Sequence, residues 1–553
     1  MNKFIKENWI LISILIFAFF IRIFGLFYAF PLAGVFTDEI PTLLASLKMI
    51  GYFSLLVDSP GYYYPALLSY IYVPFFVIFL IFSRLTGLFP SFEIMREIGI
   101  LNPGYFLPLS RFINVFLAVA TIFLVYKITL KLFNKKQIGL IAAWLISVSF
   151  FHSLQSHFAT TWIPQTFFIV LAAYWAVVMW QKNKLTSKDY IISGLTVGVA
   201  FGINFVGILS YVFFLLIHFW KDKSQNIIKK FILNKKFWIL NLTIISCLLL
   251  VYFLNPYGVN NYLTRITDTT IQGSSYQINE NLIDRMIYYL KGIWSLESIY
   301  FILFIPAIFL LFKKEKKIFI FLFSFIIIYF LFLSPLTGVM QRYSLPILPF
   351  MIMVIAYFIN WINNNWLSKN YLKLILILLI TGPSLYLSLL FDFKIMQNDT
   401  RLLAKEWIYN NIQTGSLINN VSLPKLYLNE NKDLISLIES EKIELFSTKR
   451  KYLKNLSLES YPNPNYFVIT HQGLANGFID KFEYMIIADV DSGRLINKRE
   501  QLLKNSKKIK SFYPAINSSK GYFSGELDRN YLNPWQLKNI DIGGPYIEIY
   551  KIN

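Results

Sequence analysis

Apolar runs near 9–30, 110–133, 138–154, 163–181, 237–254, 294–312, 318–335, 343–362 and 371–391 recur through most of this chain. Each approaches the roughly 20 residues that carry a helix across a bilayer. Backbone in hydrocarbon must satisfy its own hydrogen bonds, so such runs fold as helices. Charged residues make up only 15% of the chain, against about 25% in a soluble domain. The +21 net charge sits in short lysine clusters between the apolar runs. That is the pattern of cytoplasmic loops rather than of a basic face, and it excludes nucleic acid as a partner. The single cysteine, Cys247, lies in the apolar run IISCLLLVYF and rules out an intramolecular disulfide or a thiolate metal site. The first run follows a basic start but has span length and no small-x-small cleavage site after it, so it reads as an uncleaved first span.

Two stretches decide the topology. Residues 190–220 form one apolar run between two lysine clusters, Lys182, Lys184 and Lys188 before it and Lys221 and Lys223 after it. The run is too long for one upright helix at about 1.5 Å per residue, and one pass would put a lysine cluster outside. A tight hairpin near Gly202 to Gly207 is expected. Counting residues 62–88 as a full span would turn Lys135, Lys136 and Lys313 to Lys317 outward, against the positive-inside rule. That segment is therefore expected on the outer surface, re-entrant or double-crossing.

The expected fold is an α-helical polytopic membrane protein of about eleven spans in the plasma membrane, with its amino terminus in the cytoplasm. Its transmembrane domain takes residues 1–391, with a first outer loop at 31–109 and another outer loop at 255–293. Residues 392–553 turn polar and contain an amphipathic segment, DTRLLAKEWIYNNI, and strand-like runs, YFVIT and YIEIYK. They read as a small α/β domain outside the cytoplasm. No internal repeat or P-loop is present.

Asp38 and Glu39 stand in GVFTDEIPTLL, just past the first span. Carboxylates so near the hydrocarbon are costly, and they line a cavity, pair with a cation or act in chemistry. The plainer alternative is helix capping, with Thr37 or Asp38 as N-cap and Glu39 in the first turn. The same side of the membrane is expected to hold Arg111, His157, Asn204, and Arg342 with Tyr343. Each alone is as well explained as an interfacial anchor. Together they can serve a substrate, since arginine grips phosphate in two-point geometry. Tyr63 and Tyr64 in GYYYPALLSYIY fit an aromatic belt, with sugar stacking as the second reading. His152, His218 and His471 have no metal-ligand spacing.

These segments together resemble the GT-C superfamily of polyprenyl-phosphate-sugar-dependent glycosyltransferases. The branch is that of the protein O-mannosyltransferases and the lipid A aminoarabinose transferase, the family 39/83 type. The resemblance rests on the Asp38–Glu39 pair after the first span and the tyrosine-proline segment SPGYYYPALLSYIY. It continues through the arginine-led span SRFINVFLAVATIFLVYKITLKLFNKK, the SHFATTW segment and the later QRYSLPILPF. It implies inverting transfer of a sugar from a polyprenyl-phosphate donor to a hydroxyl on an acceptor protein, lipid or polysaccharide. Asp38 would be the general base, Glu39 would hold Arg111 or assist binding, and Arg342 and Arg111 would face the leaving phosphate. It also implies a metal-independent reaction. Two positions depart from the pattern: Trp162 stands where a second acid is usual, and Asn204 where a lysine often stands. Both changes remove groups able to hold donor or phosphate, and a relative that has lost activity is one consequence.

Two other classes compete with that reading. A flippase for lipid-linked sugars would show repeats and mid-span charges. A polysaccharide polymerase or ligase would use arginines in a late outer loop, where Arg265 and Arg285 lie.

Overall fold

The computed structural model describes residues 3–36, 38–57, 62, 64–222, 226, 228–267, 276–277, 282–335, 338–420, 426–440, 448–469, 482–489, 506–514 and 533–552. The chain begins with α1 (Lys3–Ile23), α2 (Glu39–Tyr52), α3 (Leu67–Leu85) and α4 (Phe92–Leu101). A long α5 (Leu107–Phe133) follows, then α6 (Lys136–Val148), α7 (Phe150–Ser156), α8 (Trp162–Gln181), α9 (Ser187–Ile203), α10 (Tyr211–Lys221) and α11 (Lys235–Leu254). Next come α12 (Pro256–Thr267), the short strand β1 (Tyr276–Gln277), α13 (Leu282–Leu296), α14 (Ser298–Lys314) and α15 (Lys316–Leu333). Strand β2 (Gly338–Val339), α16 (Leu348–Asn365) and α17 (Asn370–Ile395) complete the membrane part. α17 runs past the expected 391/392 boundary.

Among the described residues, seven helices are long and apolar enough to cross a membrane, or nine if each of two bent pairs counts as one span. α1, α9 and α10 lie outside that count yet also carry the chain between the two ends of the bundle. α16 is the central helix, with 78% of its apolar window buried, while α11 at 11% faces outward along its length.

α3 is one of the seven by length and apolarity, but it does not change ends. Tyr64, just before it, reaches Asp38. After α4 the chain enters α5 at that same end, with Arg111 bonded to Glu39. Along the way Tyr72 meets Asn114 at 3.3 Å while Phe76 and Phe79 pack on Phe106. α3 therefore runs antiparallel to the first turns of α5, as the lysine parity requires.

The 190–220 hairpin also forms. Helix α9 ends at Asn204, and α10 returns until Lys221 donates to the Lys182 carbonyl at 2.8 Å, while Tyr190 and His218 meet at 2.7 Å. At the turn, a Cβ on Gly207 would lie 2.2 Å from the Ala200 carbonyl oxygen, so only glycine fits this approach.

Two buried charges repair broken backbone. α6 and α7 meet at a 57° bend and α13 and α14 at a 113° bend. At the first bend, Arg22 from α1 donates to the carbonyls of Ser147 (2.8 Å) and Ile146 (3.2 Å). Glu297, at the second bend, accepts from Phe151 N, Ser149 Oγ and Ser384 Oγ. An unsatisfied polar group in hydrocarbon costs several kcal/mol, so the α6–α7 bend is held by groups that other helices supply, Arg22 to its carbonyls and Glu297 to the Phe151 amide.

The carboxy-terminal domain adds α18 (Thr400–Asn411), β3 (Leu417–Asn420), α19 (Lys432–Ser440), α20 (Thr448–Asn455), β4 (Phe467–Ile469), β5 (Tyr484–Asp489), β6 (Ser506–Phe512) and β7 (Tyr546–Ile552). The sheet order is β4-β3-β5-β7-β6, parallel from β4 to β5 and antiparallel beyond. Ala404 and Ile408 of α18 cover Ile418, Ile486 and Ile549 of the sheet. This is the small α/β domain expected from composition.

One buried cluster docks this domain on the bundle. Asp399 accepts from Arg401 Nε (2.8 Å), Nη2 (2.7 Å) and N (2.9 Å), and from the Tyr28 hydroxyl (2.8 Å). Burial opposes the Asp399 charge, but the Arg401 guanidinium and these hydrogen bonds outweigh it and hold the carboxyl below its usual range. Asp399 therefore stabilises the docked domain above about pH 4, and that contribution is lost as pH falls through its depressed folded value. Asp399→Asn is expected to cost about 3–5 kcal/mol, as for other broken buried pairs. Thermal unfolding of the purified protein between about pH 3 and 7 should show an acid-side loss in the native chain. The variant should start lower and lack that component.

Candidate active site

Asp38 occupies the residue before α2, yet its side chain makes no capping hydrogen bond. Instead Oδ2 accepts from Arg342 Nη2 at 2.6 Å and from the Tyr64 hydroxyl at 3.3 Å. Arg342 stacks its guanidinium over Phe36, 5.4 Å from the ring centre. The Asp38 carboxylate keeps 12% of its surface exposed while the Glu39 carboxylate keeps none. That contrast separates the two acids.

Glu39 is committed throughout. Oε1 and Oε2 accept the Arg111 fork at 2.8 and 2.9 Å, and Oε1 also accepts Ala159 N at 2.8 Å. Arg111 spends its remaining group, Nη1, on the Leu26 and Tyr28 carbonyls. Arg111, expected to face a phosphate, is placed as a buried side chain whose donors are used by Glu39 and these carbonyls. Glu39 likewise touches the framework rather than an open space. The pair joins the end of α1, the start of α2, the start of α5 and the turn at 157–161.

Two more of the expected residues lie at that turn. His157 is expected to contact substrate, but it is buried with Nδ1 2.8 Å from the Ser153 carbonyl and Nε2 3.0 Å from Asp392 Oδ1. Asn204 is likewise buried. It caps the hairpin turn through Val206 N (3.3 Å) and reaches Thr161 Oγ1 (3.4 Å). Both side chains shape the backbone around the site. Tyr343 stacks on Trp162 with ring centres 4.6 Å apart, so the position expected to hold a second acid carries half of an aromatic platform. Tyr63 lies outside the described residues, as do Thr37, Asp268, Glu280 and His471. Arg285 donates to the Pro335 carbonyl at 2.8 Å.

The structure adds groups that the sequence reading passed over. Buried polar atoms without a hydrogen bond collect around the segment bearing Arg342: Gln341 Nε2 and Oε1, Gln165 Nε2 and Oε1, Trp162 Nε1, Thr160 Oγ1 and Tyr289 OH. Gln341 lies against Gly292 of α13. Orphaned groups at this density mark a site meant for a polar occupant. Asp392, Arg22 and Glu297 were also missed. Their signal was a charge inside an apolar run, as in LLFDFKI, FFIRIFG and WSLESIYF. Among the described residues no cluster of three or more His, Cys, Asp or Glu is placed to hold a metal.

Residues 109–252 match the family model described as dolichyl-phosphate-mannose-protein mannosyltransferase. The structure resembles ArnT from Cupriavidus metallidurans in its apo state, with TM-score 0.51, 10% identity, and 89% of this chain and 94% of that chain covered. Against the same protein bound to undecaprenyl phosphate the TM-score is 0.51 at 10% identity, over 93% of this chain and 99% of that one. This chain has the GT-C fold. The GT-C likeness includes the carboxy-terminal domain, since nearly the whole of both chains is aligned. AglB from Archaeoglobus fulgidus, in complex with an inhibitory peptide and a dolichol-phosphate, aligns at TM-score 0.43 and 13% identity over 88% of this chain and 70% of that chain. No curated protein matches in sequence.

The geometry assigns different costs to the two acids. Glu39→Gln leaves the Arg111 guanidinium buried without its charge partner, and removing one member of a buried pair costs about 3–5 kcal/mol. Asp38→Asn acts on a partly exposed carboxylate. Thermal unfolding in detergent should show a large loss for Glu39→Gln and a small one for Asp38→Asn. Equal losses would contradict the division of roles.

Proposed function

We propose that this protein is a membrane glycosyltransferase that moves a sugar from a polyprenyl-phosphate donor to an acceptor hydroxyl on the outer face of the plasma membrane. One observation carries the reading. The Asp38 carboxylate is partly open, bound to a guanidinium and a phenol, in a fold shared with a protein that binds undecaprenyl phosphate. The family match over 109–252 supports the same class of donor.

In this reading the acceptor oxygen attacks the anomeric carbon as Asp38 takes its proton. The bond from that carbon to the phosphate oxygen breaks, and the lipid phosphate leaves with the electron pair, inverting the configuration. General-base help on a hydroxyl is worth about 10²- to 10⁴-fold. Arg342 meets the charge developing on the phosphate. Its bond to Asp38 is exchanged for one to phosphate, which frees the carboxylate oxygen for the acceptor. Tyr343 and Trp162 offer the sugar an aromatic face. The proton and charge transfers are covered by these side chains without a metal.

The proposed orientation places the lysine-rich end in the cytoplasm and the Asp38 end, with the carboxy-terminal domain, outside. On a Cys247→Ser background, single cysteines at Lys135 and Glu315 should resist an impermeant maleimide in intact cells, and one at Glu430 should react. The reverse pattern would overturn the orientation.

Asp38→Asn should lower transfer from a radiolabelled polyprenyl-phosphate sugar by at least about 10²-fold, with unchanged insertion and only the small loss in thermal unfolding expected above. Full activity in that variant would remove Asp38 as the base.

A further inference from the structure

A second cavity lies away from Asp38, where the connection after α4 meets the carboxy-terminal domain. It encloses about 220 Å³ and is lined by Leu101 and Asn102 on the bundle side and by Lys405, Tyr409, Asn429, Glu430 and Lys449 on the domain side, among others. Lys405 comes from α18 and Lys449 from α20. Among the described residues neither ammonium has an ion pair or hydrogen bond. The acid on this wall, Glu430, is taken by the Arg450 fork, with Nε at 2.9 Å and Nη2 at 2.6 Å. The Tyr409 hydroxyl is buried without a hydrogen bond of good geometry, and its ring lies under Lys405.

Two like charges on one partly desolvated wall repel, and the neighbouring Glu430 carboxylate, already paired with Arg450, balances only part of that charge. Burial, then the neighbouring Lys449 charge, lowers the Lys405 value; burial and Arg450 lower that of Lys449, with Glu430 offsetting only part. A protein tolerates such an arrangement when an anion completes it, because charge-assisted hydrogen bonds to an anion repay desolvation of the lysines.

We propose that this cavity binds a phosphate group, with Lys405 and Lys449 as its cationic ligands and Tyr409 and Asn102 as neutral contacts. The phosphate comes from a lipid headgroup or from a soluble phosphorylated compound. The headgroup is within reach of the membrane surface, since α4 carries the exposed apolar residues Phe92 and Ile94. The inference stands independently of the transfer reading, because its test measures binding.

Acetic anhydride labelling of the full-length protein at about pH 8, read by peptide mass spectrometry, reports both ammonium groups without mutation. Inorganic phosphate in detergent, at about ten times its dissociation constant, should slow labelling of Lys405 and Lys449 about tenfold, while chloride at equal ionic strength should not. Protection by inorganic phosphate supports a soluble source. Protection appearing only in phosphatidylcholine vesicles that contain phosphatidylglycerol supports a headgroup. Unchanged labelling in both settings overturns the proposal. Phosphate should also raise the melting temperature of the native chain and not that of the Lys405→Gln/Lys449→Gln double variant. An equal rise in both would remove these lysines as the ligands.

Discussion

The buried fork between Arg111 and Glu39 holds the site end of this protein together. One guanidinium spans a carboxylate at the start of α2 and two carbonyls at the end of α1, while that carboxylate also accepts the Ala159 amide. Four chain segments, the outermost more than a hundred residues apart, therefore meet at a few atoms. Asp38 precedes Glu39 directly, so its orientation toward Arg342 is inherited from the fork. A buried pair contributes little net stability against an apolar alternative. Its value here is geometric, because it sets where the open carboxylate sits relative to Arg342, 304 residues away in sequence.

The same logic governs the bundle interior. Membrane helices gain little from apolar burial, since lipid tails are as apolar as leucine, so packing and internal hydrogen bonds decide the arrangement. Arg22 supplies donors to the carbonyls released at the α6–α7 bend, and Glu297 supplies acceptors to the amide and hydroxyls on its other side. The bend in turn redirects α7 so that the 157–161 turn lies beside Glu39. Asn114 completes it by donating to the Phe158 and Thr160 carbonyls at 2.7 and 2.9 Å. The chemistry at one end thus depends on charges deep in the apolar runs.

Much of this was legible in the residue pattern. Lysine clusters alone required the 190–220 hairpin and kept α3 at one end despite its span-like composition, because a one-crossing error would move every later cluster across the membrane. The placing of Asp38 and Arg342 at one end of the bundle was also anticipated, since both fall at span ends of the same parity, although Arg342 was expected to face a phosphate rather than to pair with Asp38. Pattern could not show which polar groups face an open space. Arg111, His157 and Asn204 stand at the right depth, but their hydrogen bonds are consumed by backbone carbonyls, Asp392 and a turn amide. Side-chain satisfaction is a tertiary property that depth along a helix does not reveal. Conversely, Gln165 and Gln341 drew no notice because neutral amides carry no sequence signal until their neighbours are found to lack partners.

The two departures from the family pattern bear on the same question. An acid in place of Trp162 would stand one residue beyond Thr161 and beside Tyr343, the residue after Arg342. With an indole there, position 162 brings no carboxylate, and Arg342 meets that of Asp38 at 2.6 Å. The indole also supplies a flat partner for Tyr343. Asn204, in place of a lysine, removes a positive charge from the same neighbourhood and serves the hairpin turn instead. With Trp162 and Asn204 at these positions the surroundings of Tyr343 present an aromatic face and neutral amides rather than a further acid and lysine. Under the proposed function such a surface suits the hydroxyls and ring C–H edges of a sugar, because an aromatic face and amide groups bind them without requiring a counter-charge.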